Sequence, residues 1–308
     1  MKKIFIDGKA GTTGLRIYER LGGRTDIEMI TLPEACRKDE NARKEALNRA
    51  DVAFLCLPDA AAKEAVSMVE NPDTVVIDTS TAHRTDPSFV YGFPELSPMF
   101  EEKIKNSKRI AVPGCHASGF IALVYPLIEE GILSPSAHLT CHSVTGYSGG
   151  GKKMIEEYEH EGRDFLLGAP RQYGLTQEHK HLKEMKAVTG LETLPIFCPI
   201  VSDFYSGMVV TVPLFKEDIG VPAKELASVY RKRYQGPVIS YTENMTENGF
   251  ISGAGLSGKD SMQISVLGNE DRILLVARYD NLGKGASGAA VENLNIVLGL
   301  EKTLGLAL

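Results

Sequence analysis

The chain has little that would staple, anchor or export it. Its five cysteines, at 36, 56, 115, 141 and 198, form an odd count with no CxxC or CxxH spacing. A disulfide framework and a structural zinc site therefore both fit poorly. The opening MKKIFIDG has two lysines but too few apolar residues for a secretory signal before Asp7 and the glycines. No apolar run approaches membrane-spanning length. Positive charge is also scarce: 34 Lys and Arg face 40 Asp and Glu, a net charge of −6, which argues against nucleic acid as the default partner. An anionic small molecule stays open, because a few local cations or backbone N–H groups suffice to hold one. There is no internal repeat and no low-complexity segment. A reducing cytoplasm is the simplest setting.

Across 308 residues, 43% hydrophobic and 24% charged, the chain is long enough for two cores. Its first hundred residues alternate strand-like and helix-like segments. KIFID (3–7), IEMITLP (27–33), DVAFLCLP (51–58) and TVVIDTS (74–80) read as strands; 15–23, 40–50 and 59–70 read as helices. DVAFLCLP is continuously apolar, as a strand buried on both faces must be. Alternation of this kind predicts a Rossmann-type, doubly wound parallel sheet. Beyond about residue 118, AHLTCHSVTG, GMVVTVPLF, MQISVLG and RILLVARYD predict a mostly antiparallel sheet in an α+β catalytic and oligomerisation domain. Residues 285–305 read as one strong helix returning to the first domain. The expected division is 1–115, completed by 285–308, and 116–284.

GKAGTTG places Gly8, Gly11 and Gly14, with Thr12 and Thr13 among them, between the first strand and first helix. Glycines let the backbone approach a pyrophosphate, and unpaired helix N–H groups receive it. A plain glycine-rich turn is the alternative, but the position after the first strand favours dinucleotide binding. The second strand runs into LPEACRKDE, where Glu34 is followed by Arg37 and Lys38. An acidic residue there would bind a ribose hydroxyl and a basic one a 2′-phosphate, so NADP is favoured over NAD.

In AVPGCHASGF (111–120), Cys115 follows a Pro-Gly turn at the expected start of a helix. Free N–H groups and the helix dipole there favour a thiolate and would hold an oxyanion. Packing is the competing role, as for Cys56 inside its apolar strand. His116, His179 and His181 are the candidate bases. EHKHLKEM (178–185) carries two histidines two apart, which diverge on a helix and have no third ligand at useful spacing, so no metal is expected. SVTGYSGGGKK (143–153) offers hydroxyls, N–H groups and two lysines, either to bind an anion or as a mobile loop.

Taken together, several segments resemble N-acetyl-γ-glutamyl-phosphate reductases in their shorter bacterial form. They are GKAGTTG, VIDTSTAHR (76–84), YGFPEL (91–96), VPGCHASGF, SVTGYSGGGKK, EHKHLKEM, SGMVVTVPL (206–214) and DNLGKGASGAAVENLNIVLG (280–299). The segments occur in the family's order and span nearly the whole chain. The resemblance implies NADPH-dependent reduction of an acyl phosphate to an aldehyde, through a thioester, in arginine biosynthesis. It places the nucleophile on Cys115 and the acid/base on His179, by a small margin over His181, counting from Tyr173. It puts the first glycines, Ser80 and the Asn281–Lys284 stretch near NADP. Arg84, Ser148 and Gly149 are then candidates for gripping substrate phosphate or carboxylate. Longer relatives carry Asn and Tyr where this chain has Val112 and His116, which leaves His116 without an assigned role. A homo-oligomer, dimer or tetramer, is the default for such enzymes. The competing readings are another acyl-phosphate reductase, such as aspartate-semialdehyde dehydrogenase, and a dinucleotide-sensing protein without turnover.

Overall fold

The computed structural model describes residues 1–308, which fall into two compact units. The first comprises 1–94, 98–113 and 286–306; the second comprises 95–97, 114–285 and 307–308. The sequence reading cut the chain after Cys115, whereas here the cut precedes Gly114. The cause is local: the Gly114 N–H donates to the buried Glu184 carboxylate within the second unit (3.0 Å).

The first unit is built on β1 (Lys2–Asp7), β2 (Ile27–Ile30), β3 (Val52–Leu55), β4 (Val75–Asp78), β5 (Val90–Tyr91) and β6 (Arg109–Ala111). They lie in the order β2-β1-β3-β4-β6-β5, all parallel. Every residue of β3 and β4 is buried, which explains their unbroken apolar runs. Helices α1 (Thr12–Leu21), α2 (Glu40–Arg49), α3 (Asp59–Ser67) and α4 (Pro98–Lys105) connect the strands. Asp39 starts α2 by accepting from the Ala42 N–H (2.8 Å), an N-cap. On one sheet face, Ile4, Ile6, Val52, Phe54 and Ile77 pack with Ile17 and Leu21 of α1. On the other, Phe5, Ala53, Leu55 and Val76 pack with Ala46 and Leu47 of α2 and Ala65 of α3.

The second unit holds α5 (Cys115–Glu129), β7 (Thr140–Gly146), α6 (Gly151–Glu159), β8 (Arg171–Gln172), α7 (His181–Thr189) and β9 (Ile196–Ser202). It continues with β10 (Met208–Phe215), α8 (Ala223–Arg233), β11 (Ile239–Tyr241), β12 (Met262–Gly268) and β13 (Arg272–Tyr279). Its sheet runs β11-β12-β13-β10-β7-β9-β8. Four of the pairings are antiparallel, while β11 with β12 and β7 with β9 are parallel. Strand β10 alternates, burying Met208, Val210, Val212 and Leu214. Helix α5 is buried almost all round, as a helix in the middle of a core must be.

Two expectations need correction. The final segment is not one helix over 285–305. Residues 283–287 form a π-turn, closed by Gly285 N–H donating to Asp280 C=O (2.9 Å), and the α-helix proper is α9 (Gly288–Val297). It stops there because Gly299 takes a left-handed conformation (φ 69°). SGGGKK is not a loose loop either. It forms a 3₁₀ turn (147–150) and then the first turn of α6.

Candidate active site

The glycine turn of the first unit sits where a parallel sheet binds ligands, beyond the carboxyl ends of its strands. A cleft of about 680 Å³ opens there, lined by Gly8, Gly11, Arg37, Lys38, Arg43 and Cys56 among others. Gly8 has φ +85°, and a Cβ on it would lie 2.2 Å from the Cys56 carbonyl oxygen, so no other residue fits. Gly11 is the N-cap of α1, with Thr12 and Thr13 opening the helix and Gly14 buried in its first turn. Arg43 donates through Nε and a terminal nitrogen to Asp7 Oδ2 at 3.0 and 2.9 Å, pinning α2 to the end of β1. Burial raises the Asp7 carboxyl above its usual range, against the pull of Arg43. Arg37 is exposed at the cleft and pairs with Glu34 (2.9 Å). A glycine cradle that a Cβ would fill, at the start of a helix, fits the pyrophosphate of a nicotinamide dinucleotide.

At the end of β4, Ser80 gives Asp78 both its N–H (2.9 Å) and its hydroxyl (2.7 Å). Asp78 Oδ2 also lies 2.6 Å from His83 Nδ1. Arg84 donates to the carbonyls of Val112 (2.9 Å) and Thr79 (3.0 Å), so part of its guanidinium braces the backbone.

In the second unit, Cys115 is the first residue of α5, and Gly114 is an N-cap without a side-chain acceptor. The N–H groups of the first turn, those of His116 and Ala117 among them, have no acceptor within the helix. They therefore face any charge forming beside Cys115. The turn is braced from three sides. Glu184, 1% exposed, accepts from Gly114 N–H. The Tyr279 hydroxyl donates to Cys115 C=O (2.5 Å) and accepts from Gly119 N–H (2.9 Å), bridging two groups that an ordinary helical turn would pair directly. Gly285 lies so close that a Cβ there would be 3.0 Å from Cys115 Cβ. Cys115 is partly exposed, as is Cys56, but desolvation pushes the Cys56 thiol up to about 12.

A cluster of aromatic and imidazole rings stands beside this turn. His116 is packed against His179 and His181, with ring centroids 5.7 and 5.5 Å away, and the latter two are 4.7 Å apart. His181 is the first residue of α7; its Nε2 is 3.9 Å from Glu184 Oε1. His179 precedes the helix, is half-buried, and accepts from His181 N–H through Nδ1 (3.2 Å). His116 is buried, with Nδ1 2.6 Å from Ser143 Oγ and Nε2 2.6 Å from the Tyr173 hydroxyl. Burial first, and then the charge of His179, lower its pKa to about 3, so it is neutral at physiological pH.

Asn281 spans two loops, accepting from Gly207 N–H (2.8 Å) and donating to Ser148 Oγ (3.0 Å). Lys284 is buried in an ion pair with Glu95 (2.6 and 2.8 Å). Ser148 is buried and Gly149 exposed. The structure thus brings Cys115, His116, His179 and His181 together, while Asn281 and Lys284 are bonded within the second unit, with Ser148 on Asn281. Sequence reasoning missed Glu184, Tyr279, Tyr173 as a partner of His116, and Asp280. Asp280 is buried, and its carboxylate accepts from Ser206 Oγ and the N–H groups of Gly258, Leu282 and Gly283. Only Glu184 carried a signal, as an acidic residue one helical turn after His181.

Residues 31–107 match the semialdehyde dehydrogenase NAD-binding domain, and residues 115–281 match the semialdehyde dehydrogenase dimerisation domain. Among curated relatives, N-acetyl-gamma-glutamyl-phosphate reductase of Trichormus variabilis is 46% identical over 99% of both chains. The protein of that name from Rhizobium meliloti is 45% identical, over 96% of this chain and 98% of its own. Among solved structures, aspartate semialdehyde dehydrogenase II of Vibrio cholerae superposes with a TM-score of 0.75 at 16% identity, covering 97% of this chain and 98% of that one. Aspartate semialdehyde dehydrogenase of Candida albicans with NADP gives 0.68 at 15% identity, covering 99% of each. The structural matches establish a shared fold; the closer sequence matches decide among its families. This chain belongs to the N-acetyl-gamma-glutamyl-phosphate reductase family, oxidoreductases built on the semialdehyde dehydrogenase fold.

Proposed function

We propose that the protein reduces N-acetyl-γ-glutamyl phosphate to N-acetylglutamate 5-semialdehyde and phosphate, with NADPH, by way of a thioester on Cys115. The observation that carries this reading is the placement of Cys115 as the first residue of α5, partly exposed, beside a cluster of three histidines. As thiolate, its sulfur attacks the acyl-phosphate carbonyl, and the charge passes to an oxygen that faces the first-turn N–H groups. The carbon–oxygen bond to phosphate then breaks and phosphate leaves. NADPH, when bound, supplies the hydride that reduces the thioester carbon. The carbon–sulfur bond breaks, the aldehyde departs and Cys115 is regenerated.

The proton is carried by the adjacent pair His179 and His181. The resemblance picks His179. The buried Glu184 carboxylate, 3.9 Å from His181 Nε2, favours His181, because a base held by a third group is the recurrent arrangement. Single His→Asn variants separate the two, the true proton carrier losing kcat by about a hundredfold or more. Gly8, Gly11, Thr12, Thr13, Gly14 and Arg37 hold the dinucleotide in this account, with Arg37 placed for a 2′-phosphate. Ser80, Asn281 and Lys284 support it. Arg84, Ser148 and Gly149 are the proposed substrate contacts. The described semialdehyde dehydrogenase dimerisation domain supports a homo-oligomer. No helix is long and apolar enough to cross a membrane, and we place the enzyme in the cytoplasm, in arginine biosynthesis.

The test is reverse turnover across a substrate panel. N-acetylglutamate semialdehyde should give phosphate-dependent NADPH formation, and aspartate semialdehyde should not. Preference for aspartate semialdehyde would move the protein to the related dehydrogenase activity. NADP binding without turnover on either would refute the enzyme reading.

A further inference from the structure

His116 has no part in the chemistry described so far, yet its imidazole is among the most constrained side chains of the second unit. It is 3% exposed, follows the nucleophile directly in α5, and has a hydroxyl 2.6 Å from each ring nitrogen. Ser143, fully buried on β7, holds Nδ1; Tyr173, just after β8, meets Nε2. Three elements far apart in sequence converge on one ring.

A neutral imidazole has one N–H and one lone pair, so the two hydroxyls must take opposite roles. If Ser143 donates to Nδ1, then Nε2–H donates to the Tyr173 oxygen and the Tyr173 O–H is released to donate elsewhere. If Nδ1–H donates to Ser143, Tyr173 spends its proton on Nε2 and offers only a lone pair. A thiolate close by selects the first state. Burial, and next the charge of Cys115, raise the Tyr173 pKa, so Tyr173 is a neutral phenol, and its hydroxyl is held 2.6 Å from the ring of the residue that follows Cys115.

We propose that His116 is a positioning residue: as the Nε2–H tautomer, clamped by Ser143, it aims the Tyr173 hydroxyl as a hydrogen-bond donor at the charge on the Cys115 sulfur. The inference rests on Cys115 being the nucleophile. It assigns the ring a directional task and no proton transfer of its own, because a base neutral down to about pH 3 has no proton to give at working pH. The other titratable groups around this turn are His179, His181 and Glu184 on the 179–189 segment and Tyr279 on β13. All are kept intact in the test.

The test reads the pH dependence of Cys115 alkylation by iodoacetamide, followed on the Cys115 peptide by mass spectrometry, in the full-length protein. Removing a donor to a charged sulfur should raise the apparent thiol pKa by about one pH unit, roughly tenfold less thiolate on the rising limb. Tyr173→Phe should show that shift. His116→Ala should show the same shift, and the double variant no more than either alone. Ser143→Ala should shift in the same direction by less, and it serves as the second arm if His116→Ala does not fold. His116→Gln, which can both donate and accept, should recover part of the effect. An unchanged alkylation profile in folded His116→Ala or in Tyr173→Phe overturns the proposal, as do additive shifts in the double variant. When Ser143→Ala is the arm used, an unchanged profile there overturns it equally. The ¹⁵N signature of His116 should be that of the Nε2–H tautomer, and the Nδ1–H tautomer would contradict it. Turnover is not needed for these readouts. Failure of the reductase reading would appear instead as absent phosphate-dependent NADPH formation in the unmodified protein.

Discussion

Glu184 offers a quantitative check on how the nucleophile is held. Its carboxylate is 1% exposed and takes the Gly114 N–H at 3.0 Å, while its other oxygen lies 3.9 Å from His181 Nε2. Glu184→Ala removes the acceptor and leaves a buried backbone N–H unsatisfied, a loss of about 1–3 kcal/mol. The emptied volume adds to this, so a total near 3 kcal/mol is expected for the second unit. Glu184→Gln keeps an oxygen for Gly114 and loses only the charge assistance, about 1 kcal/mol. The two variants should therefore separate in urea titrations by about 2 kcal/mol. In kcat they should lie closer together, because both remove the negative charge facing His181. Far-ultraviolet dichroism controls for the fold, and thiol alkylation at fixed pH reads the geometry at Cys115. A stability loss below about 0.5 kcal/mol for Glu184→Ala would refute the claim that this carboxylate braces the Gly114 turn.

Three further outcomes follow from other parts of the structure. His116 is neutral when folded, with its pKa lowered from 6.5 to about 3. The unfolded chain therefore binds one more proton below pH 6.5, and stability must fall as pH drops from there towards 3. Urea titrations should show about 2 kcal/mol lost from this group between pH 7 and pH 5, and His116→Gln should remove that share of the slope. Arg37→Ala should raise KM for NADP roughly tenfold and leave NAD kinetics unchanged, as steady-state assays with both cofactors would show. Gly285→Ala would place a methyl 3.0 Å from Cys115 Cβ and 3.1 Å from Asp280 C=O. It should cost about 1–3 kcal/mol of stability and slow Cys115 alkylation at fixed pH, because the added carbon must push the nucleophile.

The features legible in the sequence were those written in local pattern. DVAFLCLP shows the two-sided burial of Val52–Leu55 as an unbroken apolar run, and GKAGTTG marks the strand-to-helix turn because Gly8 must adopt φ +85°. The PGC turn likewise announces a helix start. What stayed hidden depends on residues distant in sequence. Tyr279 reaches Cys115 only because β13 lies beside α5, and a tyrosine inside RILLVARYD looks like any other strand residue. His116 reads as an orphan until Ser143 and Tyr173 arrive from separate elements. The final helix was read too long because small residues such as Gly-Ala-Ser suit a helix locally. Nothing in the pattern reveals that Gly285 must bond five residues back to Asp280. Short pairings such as β5 and β8, two residues each, left no periodicity to detect.

The central claim is that Cys115 carries the acyl group. The direct measurement mixes the enzyme with N-acetylglutamate semialdehyde and NADP in the absence of phosphate, so that hydride can leave while the thioester has no acceptor. Acid quench, digestion and mass spectrometry then locate the acyl group. The account predicts a burst of one NADPH per subunit, an N-acetylglutamyl adduct on the Cys115 peptide, and its disappearance when phosphate is added. NADPH formation with no adduct on Cys115, or an undiminished burst in Cys115→Ser, would contradict it.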